Sequence, residues 1–247
     1  LDDIPNTTDL IDAEGNIDYD RITSFSAADY AFILSYAKRL NPHLNVAGNA
    51  KVIYRHVGDF ANAIGFGLDV GVTYRKNGWI LGAMARDVTS TFNAWSFNLD
   101  ERTEQVFIQT GNEIPTNSVE VTLPRIILGG ARMWTFDKVT LLTELNLDVT
   151  TDGKRNVLVS ADPVSVDPHF GFELGYKNRL FLRGGVGNIQ ESQSTLFNDG
   201  WTFQPNLGVG LKIKSFSLDY ALTDIGDASA ALYSNVFSVK FDIWTEN

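Results

Sequence analysis

Apolar residues recur at every second position through segment after segment of about ten residues, while the i, i+3, i+4 spacing of an amphipathic helix is almost absent. Successive side chains of a strand point to opposite faces, so this period specifies strands with one apolar and one polar side. Phe66, Leu68, Val70, Val72 and Tyr74 alternate with Gly67, Asp69, Gly71, Thr73 and Arg75. Phe170, Phe172, Leu174 and Tyr176 alternate with Gly171, Glu173 and Gly175, and Phe216, Leu218 and Tyr220 with Ser217 and Asp219. Eleven strands are expected, at about 25–38, 44–57, 63–75, 79–88, 119–134, 139–150, 169–177, 180–188, 202–213, 216–223 and 235–245. The fifth takes no definite face, because Ile126, Ile127 and Leu128 are consecutive and Arg125 and Arg132 fall on opposite sides.

The polar side carries isolated charges and many glycines; the apolar side is uniformly large and edged with Tyr and Trp. A soluble β-sandwich or lipocalin-like barrel also alternates, but turns its apolar face inward and exposes charge. The pattern here favours the reverse, a transmembrane strand with lipid outside and a crowded polar lumen inside. No run of eighteen uncharged apolar residues occurs, so no membrane-spanning helix is expected. A net charge of -10 leaves no basic stripe for nucleic acid, and the absence of cysteine removes disulfides, thiolate metal sites and cysteine nucleophiles.

Connections alternate in length. Turns near Asn41-Pro42, Lys76-Asn77-Gly78, Phe136-Asp137, Lys177-Asn178-Arg179 and Lys214-Ser215 are tight, whereas 89–118, 151–168, 189–201 and 224–234 are long. Short periplasmic turns opposite longer outer loops are the asymmetry of outer-membrane barrels. Tyr36, Tyr74, Trp79, Trp134, Phe136, Tyr176, Phe216 and Trp244 flank the short turns as an aromatic girdle would. The expected fold is all-β, an antiparallel transmembrane barrel forming one domain over 1–247, with 1–24 an outer loop and 89–118 a long loop holding a short helix. Eleven antiparallel strands are an odd count, and bacterial barrels close with an even one, so N-terminal strands are expected to be missing or to belong to a separate fragment.

Leu1-Asp2-Asp3-Ile4-Pro5-Asn6-Thr7, Phe25-Ser26-Ala27-Ala28-Asp29-Tyr30-Ala31, Arg86-Asp87-Val88-Thr89-Ser90-Thr91-Phe92-Asn93-Ala94-Trp95, Gln109-Thr110-Gly111-Asn112-Glu113-Ile114-Pro115 and Leu123-Pro124-Arg125 resemble segments of the PorV/PorQ family. These are Bacteroidota outer-membrane proteins of the type IX secretion system, similar to FadL fatty-acid transporters. The resemblance implies a barrel of about fourteen strands, of which about three would precede Leu1. It implies no catalysis and no cofactor. A PorV-like member passes cargo to a surface attachment complex, and a PorQ-like member anchors an accessory surface protein. Implied partners are outer-membrane lipid and lipopolysaccharide, secretion-system proteins and secreted cargo, but no nucleic acid. The alternative is a FadL-like channel for small hydrophobic molecules.

Among candidate sites, Asp12, Glu14, Asn16, Asp18 and Asp20 offer oxygen ligands suited to calcium. Their spacing does not fit an EF-hand, and a solvated acidic loop is the favoured reading. Inward charges, among them Arg55, Asp69, Arg86, Glu144, Glu173, Arg183 and Asp219, line a solute path or, as favoured, pair with one another to fill the lumen. Gly65 to Gly71 lacks the following helix of a nucleotide loop. His43, His56 and His169 have no nucleophile at a hydrolase spacing. Asp100, Glu101 and Glu104 ahead of Val106, Phe107 and Ile108 predict a short helix within 99–109. Phe92, Trp95, Phe97 and Phe107 either form a partner-docking surface at the outer mouth or pack against the rim.

Overall fold

A computed structural model describes residues 1–10, 16–192, 200–223, 225 and 233–242. The strands are β1 (Ile4–Asn6), β2 (Thr23–Phe25), β3 (Ala27–Asn41), β4 (Leu44–Val57), β5 (Ala61–Lys76), β6 (Trp79–Arg86), β7 (Thr91–Phe97), β8 (Ser118–Thr122) and β9 (Arg125–Phe136). They continue with β10 (Val139–Thr150), β11 (Val159–Ser160), β12 (Ser165–Tyr176), β13 (Leu180–Ser192), β14 (Gly200–Ile213), β15 (Phe216–Thr223) and β16 (Ser234–Phe241). One α-helix, α1, spans Glu101–Gln109. The protein is all-β: a 14-stranded antiparallel sheet and a separate pair, β1 with β2.

Across the sheet the order is β3, β4, β5, β6, β9, β10, β12, β13, β14, β15, β16. These are the eleven strands expected from periodicity. The further three are the short β7, β8 and β11, so the count of fourteen arises from strands within the loops.

Four expectations change. Segment 119–134 is two strands, because Pro124 lacks the backbone donor that a ladder running through this point would use. After that break β8 pairs with β7 and β9 with β6 and β10. The face of β9 then resolves, with Ile126, Leu128 and Trp134 exposed and Ala131 buried. Segment 92–97 is not loop but β7, paired with the first half of β5. The N-terminal 1–24 holds β1, the start of β2 and a 3-10 turn at Tyr19–Arg21, where loop alone was expected. Loops 151–168 and 189–201 also shrink, since β12 starts at Ser165 and β13 and β14 stay paired to Ser192 and Gly200.

The tight turns form as expected. Asn77 and Gly78 have φ of 51° and 78°, and Lys177 and Asn178 both 52°, the paired positive φ of type I′ hairpins whose twist matches the strands. A Cβ on Gly78 would sit 2.7 Å from the Met133 carbonyl oxygen.

The chain divides into two compact units. In the first (Leu1–Tyr36, Gly48–Asp69, Asp87–Leu123), β5 carries Ala61, Ala63, Gly65, Gly67 and Asp69 on one buried face and Ile64 and Phe66 on an exposed one. Ala63 is 1% exposed and Phe66 50%. Small residues line the covered face because neighbouring side chains occupy the space above them. Asn93 stands over Gly65, and Thr91 and Lys51 over Gly67.

In the second unit (Ala37–Ala47, Val70–Arg86, Pro124–Asn247), β9, β10, β12, β13, β14, β15 and β16 pair in series. Leu145 is 49% exposed, Val209 51% and Val239 57%; Leu174 and Leu182 lie on the same outward side. Glycines again accept side chains on the other side: the Thr140 hydroxyl and the Phe181 ring cover Gly175, and the Asp219 carboxylate and Arg183 cover Gly210.

Candidate functional site

The polar face is built from the bottom of each strand's alternation. On β4, Val52 and Tyr54 are exposed, which turns Lys51 and Arg55 to the covered side. Arg55 there gathers four strands of the first unit. Its Nε donates to Asp29 of β3 at 3.0 Å and its terminal nitrogen to Glu120 of β8 at 3.1 Å. The Trp95 indole N–H on β7 donates to the same Glu120 oxygen at 3.0 Å, and the guanidinium lies 5.0 Å from the Trp95 ring centre. Trp95 stacks on Phe97 with ring centres 6.1 Å apart, opposite Ala63 and Ala61 in register. A guanidinium suits this position because its planar fork bridges two carboxylates while its face stacks on a ring.

Deeper on the same face Lys51 Nζ donates to Asp69 at 2.9 Å and to Asp87. The Asp87 backbone N–H donates to Asp69 at 2.9 Å, and the Thr91 hydroxyl donates to Asp87. Asp69, Asp87 and Thr91 are all buried, so each negative oxygen needs these donors. Asp87 holds φ of 53° at the bend between β6 and β7, which turns its carboxylate toward Lys51.

In the second unit Arg183 of β13 donates to Glu173 of β12 at 2.6 Å and to Asp219 of β15, with the guanidinium 5.3 Å from the Phe181 ring centre. The triad lines a cavity of about 450 Å³ together with Leu142, Glu144, Asn146, His169 and the glycines Gly171, Gly185 and Gly208. Backbone atoms are the nearest neighbours of the Cβ positions of Gly171 and Gly185, so no side chain covers these two glycines. The Asn146 amide donates to Glu144 at 2.6 Å. Asp148 and Asp167 are direct cross-strand partners. Like charges so placed repel; Arg125 lies 3.4 Å from Asp148 and offsets its charge, and the His169 ring nitrogen Nε2 lies 3.4 Å from Asp167.

The predicted residues therefore distribute as follows. Arg55 and Asp69 enter the two networks of the first unit; Glu173, Arg183 and Asp219 meet in the triad; Glu144 lines the cavity. Arg86 lies at the end of β6 opposite Arg125 and is exposed. The four aromatic residues do not share a surface. Trp95 and Phe97 are partly covered on the polar face, Phe92 is exposed on the opposite face of the same strand, and Phe107 belongs to α1. Of the calcium candidates, Asp12 and Glu14 lie outside the described residues. Asp18 accepts from Asp20 N–H and pairs with Arg21 at 3.2 Å. His43 meets the Arg75 carbonyl at 3.0 Å and His56 the Asn62 side-chain oxygen at 2.8 Å. In the girdle, Tyr36, Tyr74, Trp79, Trp134, Phe136 and Tyr176 are exposed, Phe216 packs on Phe241 with ring centres 5.2 Å apart, and Trp244 lies outside the described residues.

Sequence reading missed Asp29, Lys51, Asp87, Thr91 and Glu120. Lys51 was signalled by its place opposite Val52 in the alternation; the others required knowledge of which strands meet. No family model matches the chain, and no curated protein matches it in sequence.

Proposed function

We propose that the chain is a non-enzymatic outer-membrane β-barrel that serves type IX protein secretion, as an accessory carrier of cargo or an anchor for a surface partner. The observation that carries the membrane reading is the inversion of burial. Large apolar residues such as Phe66, Leu145 and Val239 are exposed, while Asp69 and Asp87 are covered and paired. Water penalises such a surface, and a hydrocarbon solvent stabilises it. Closure of the sheet into a barrel belongs to this reading, because an open sheet edge in lipid leaves backbone groups unsatisfied.

The secretion role rests on the likeness of the loop segments to the PorV/PorQ family, and the excursion β7–α1–β8 is the element that would meet a partner. It stands on a paired base, Thr91–Trp95 with Ser118–Thr122, so the intervening segment 98–117 is presented by strands. The test is to replace 99–116 with a short Gly-Ser linker, leaving β7 and β8, and to identify what the barrel pulls down from native membranes in mild detergent. Loss of secretion-system proteins or cargo relative to the intact chain is expected. Recovery of lipid and lipopolysaccharide alone by the intact chain would remove the secretion role.

A FadL-like passage for small hydrophobic molecules is the second reading, favoured by the 450 Å³ cavity and the uncovered glycines Gly171 and Gly185 in its lining. Under it, the linker variant keeps its co-purifying proteins and alters solute uptake.

A further inference from the structure

We propose that the row of tight turns in the second unit is a docking edge for the anionic headgroups of phospholipids in the leaflet on that side. The proposal rests on the membrane reading above and adds a lipid class and a sidedness to it. Backbone bonds place the turns side by side. Arg75 N–H donates to the His43 carbonyl at 2.8 Å, Met133 to Gly78 at 2.8 Å, Lys177 to Lys138 at 2.7 Å, Lys212 to Arg179 at 2.7 Å and Asp242 to Ser215 at 2.8 Å.

On this row the turns present Lys76, Lys138, Lys177, Arg179 and Lys214, all exposed, against the single turn carboxylate Asp137. Such an excess of cations stands out in a chain whose net charge is -10. Asp137 is at the limit of an ion pair with Lys138, 4.0 Å. Among the described residues no carboxylate lies within pairing distance of Lys76, Lys177, Arg179 or Lys214. Lys212 and Lys240, on the strands beside the last of these turns, instead share Asp242 at 3.6 Å and 3.0 Å.

The row also adjoins the apolar face at a depth marked by aromatic rings. Arg132 lies 5.0 Å from the centre of the exposed Trp79 ring while donating to the Asn77 carbonyl at 2.6 Å. The Lys177 ammonium lies 5.2 Å from the Tyr176 ring centre. A cation stacked on an outward aromatic is an interfacial arrangement, with the ring at the headgroup level and the charge facing phosphate. Basic residues at that level attract anionic lipid over about one Debye length, and the attraction weakens with salt. A negatively charged headgroup is therefore the occupant matched in both charge and position.

The experiment is native mass spectrometry of the full chain released from mixed micelles holding equal amounts of phosphatidylglycerol and phosphatidylcholine. The expected result is retention of phosphatidylglycerol over phosphatidylcholine by about threefold or more, declining between about 50 and 500 mM salt. The combined variant Lys76→Gln, Lys177→Gln, Arg179→Gln, Lys214→Gln should lose that preference, while Lys154→Gln, in a loop away from the turns, should keep it. Equal retention of both lipids by the unaltered chain, or an undiminished preference in the combined variant, overturns the proposal. Competition by inorganic phosphate at about 10 mM overturns it in favour of a free-anion site. If the combined variant fails to fold, salt dependence in the unaltered chain decides: a preference that salt does not weaken overturns the proposal. A chain that remains soluble and monodisperse without detergent and retains neither lipid defeats the membrane reading itself, an outcome distinct from inserting with no lipid preference.

Discussion

At the residue scale, the covered face is organised by what glycine and paired charge each permit. Gly78 combines φ of 78° with a carbonyl oxygen 2.7 Å from where a Cβ would stand. Gly78→Ala meets both penalties and should destabilise the fold by about 1–3 kcal/mol, read as a lower midpoint for the heat-dependent mobility shift in detergent. Lys51 poses the complementary case, one ammonium between two buried carboxylates. Lys51→Met keeps the side chain's volume but leaves Asp69 and Asp87 facing each other without a cation. A loss of about 3–5 kcal/mol is expected, because an uncompensated buried charge costs more than the pair contributes. The triple change Lys51→Met, Asp69→Asn, Asp87→Asn should recover part of that loss; thermal midpoints as low as in Lys51→Met alone would show that the charges are not the cause.

At the element scale, α1 is the part of the loop whose onset depends on one carboxylate. Asp100 accepts the Thr103 N–H at 2.7 Å as N-cap. Hydrogen bonding to Thr103 holds its carboxyl below the usual range. A lowered folded pKa means that the stabilisation is complete above the ordinary carboxylate range and is lost as pH falls through the lowered value. Amide exchange at Thr103 and Glu104, corrected for intrinsic rates, should therefore accelerate on acidification through that window, and should be fast and independent of pH there in Asp100→Ala. Asp152 follows the same sign through its bond to Arg155, 2.8 Å from the guanidinium Nε, in the loop before β11.

What the sequence made legible divides along the same line between local and non-local causes. The eleven long strands and the tight turns follow from period two and from residues such as Asn77-Gly78, both local signals. α1 was equally visible, since its acids and apolar residues lie within one short segment. β7 was hidden because Phe92, Trp95 and Phe97 do not keep one parity: Phe92 faces out while Trp95 and Phe97 lie on the covered side. A strand with aromatics on both faces has no apolar period to read. The joint role of Asp29, Arg55, Trp95 and Glu120 was hidden for a different reason, since it depends on strands up to 91 positions apart meeting on one face.

At the scale of the whole molecule, the orientation of the faces has a consequence that a soluble sheet does not share. Leu145 sits at the middle of β10, exposed, opposite Phe170 of β12 and Gly130 of β9. Gln204 lies on the other face of β14, partly covered, beside the inward residues of β13. Arginine is close to the same size at either position, so the two substitutions differ in the medium that the charge must enter. In a bilayer, Leu145→Arg should cost about 2–4 kcal/mol of insertion free energy, whereas Gln204→Arg, on the opposite face from the lipid, should cost far less. In water the order reverses, because an exposed Leu145 replaced by arginine only gains hydration, while a covered Gln204 replaced by arginine must find room. The measurement is the fraction of full-length chain that becomes protease-resistant after refolding into vesicles, for each variant beside the unaltered chain. A deficit confined to Leu145→Arg supports lipid against the apolar face. A deficit confined to Gln204→Arg would place water there, and the membrane reading, the secretion role and the lipid-docking edge would all be lost together.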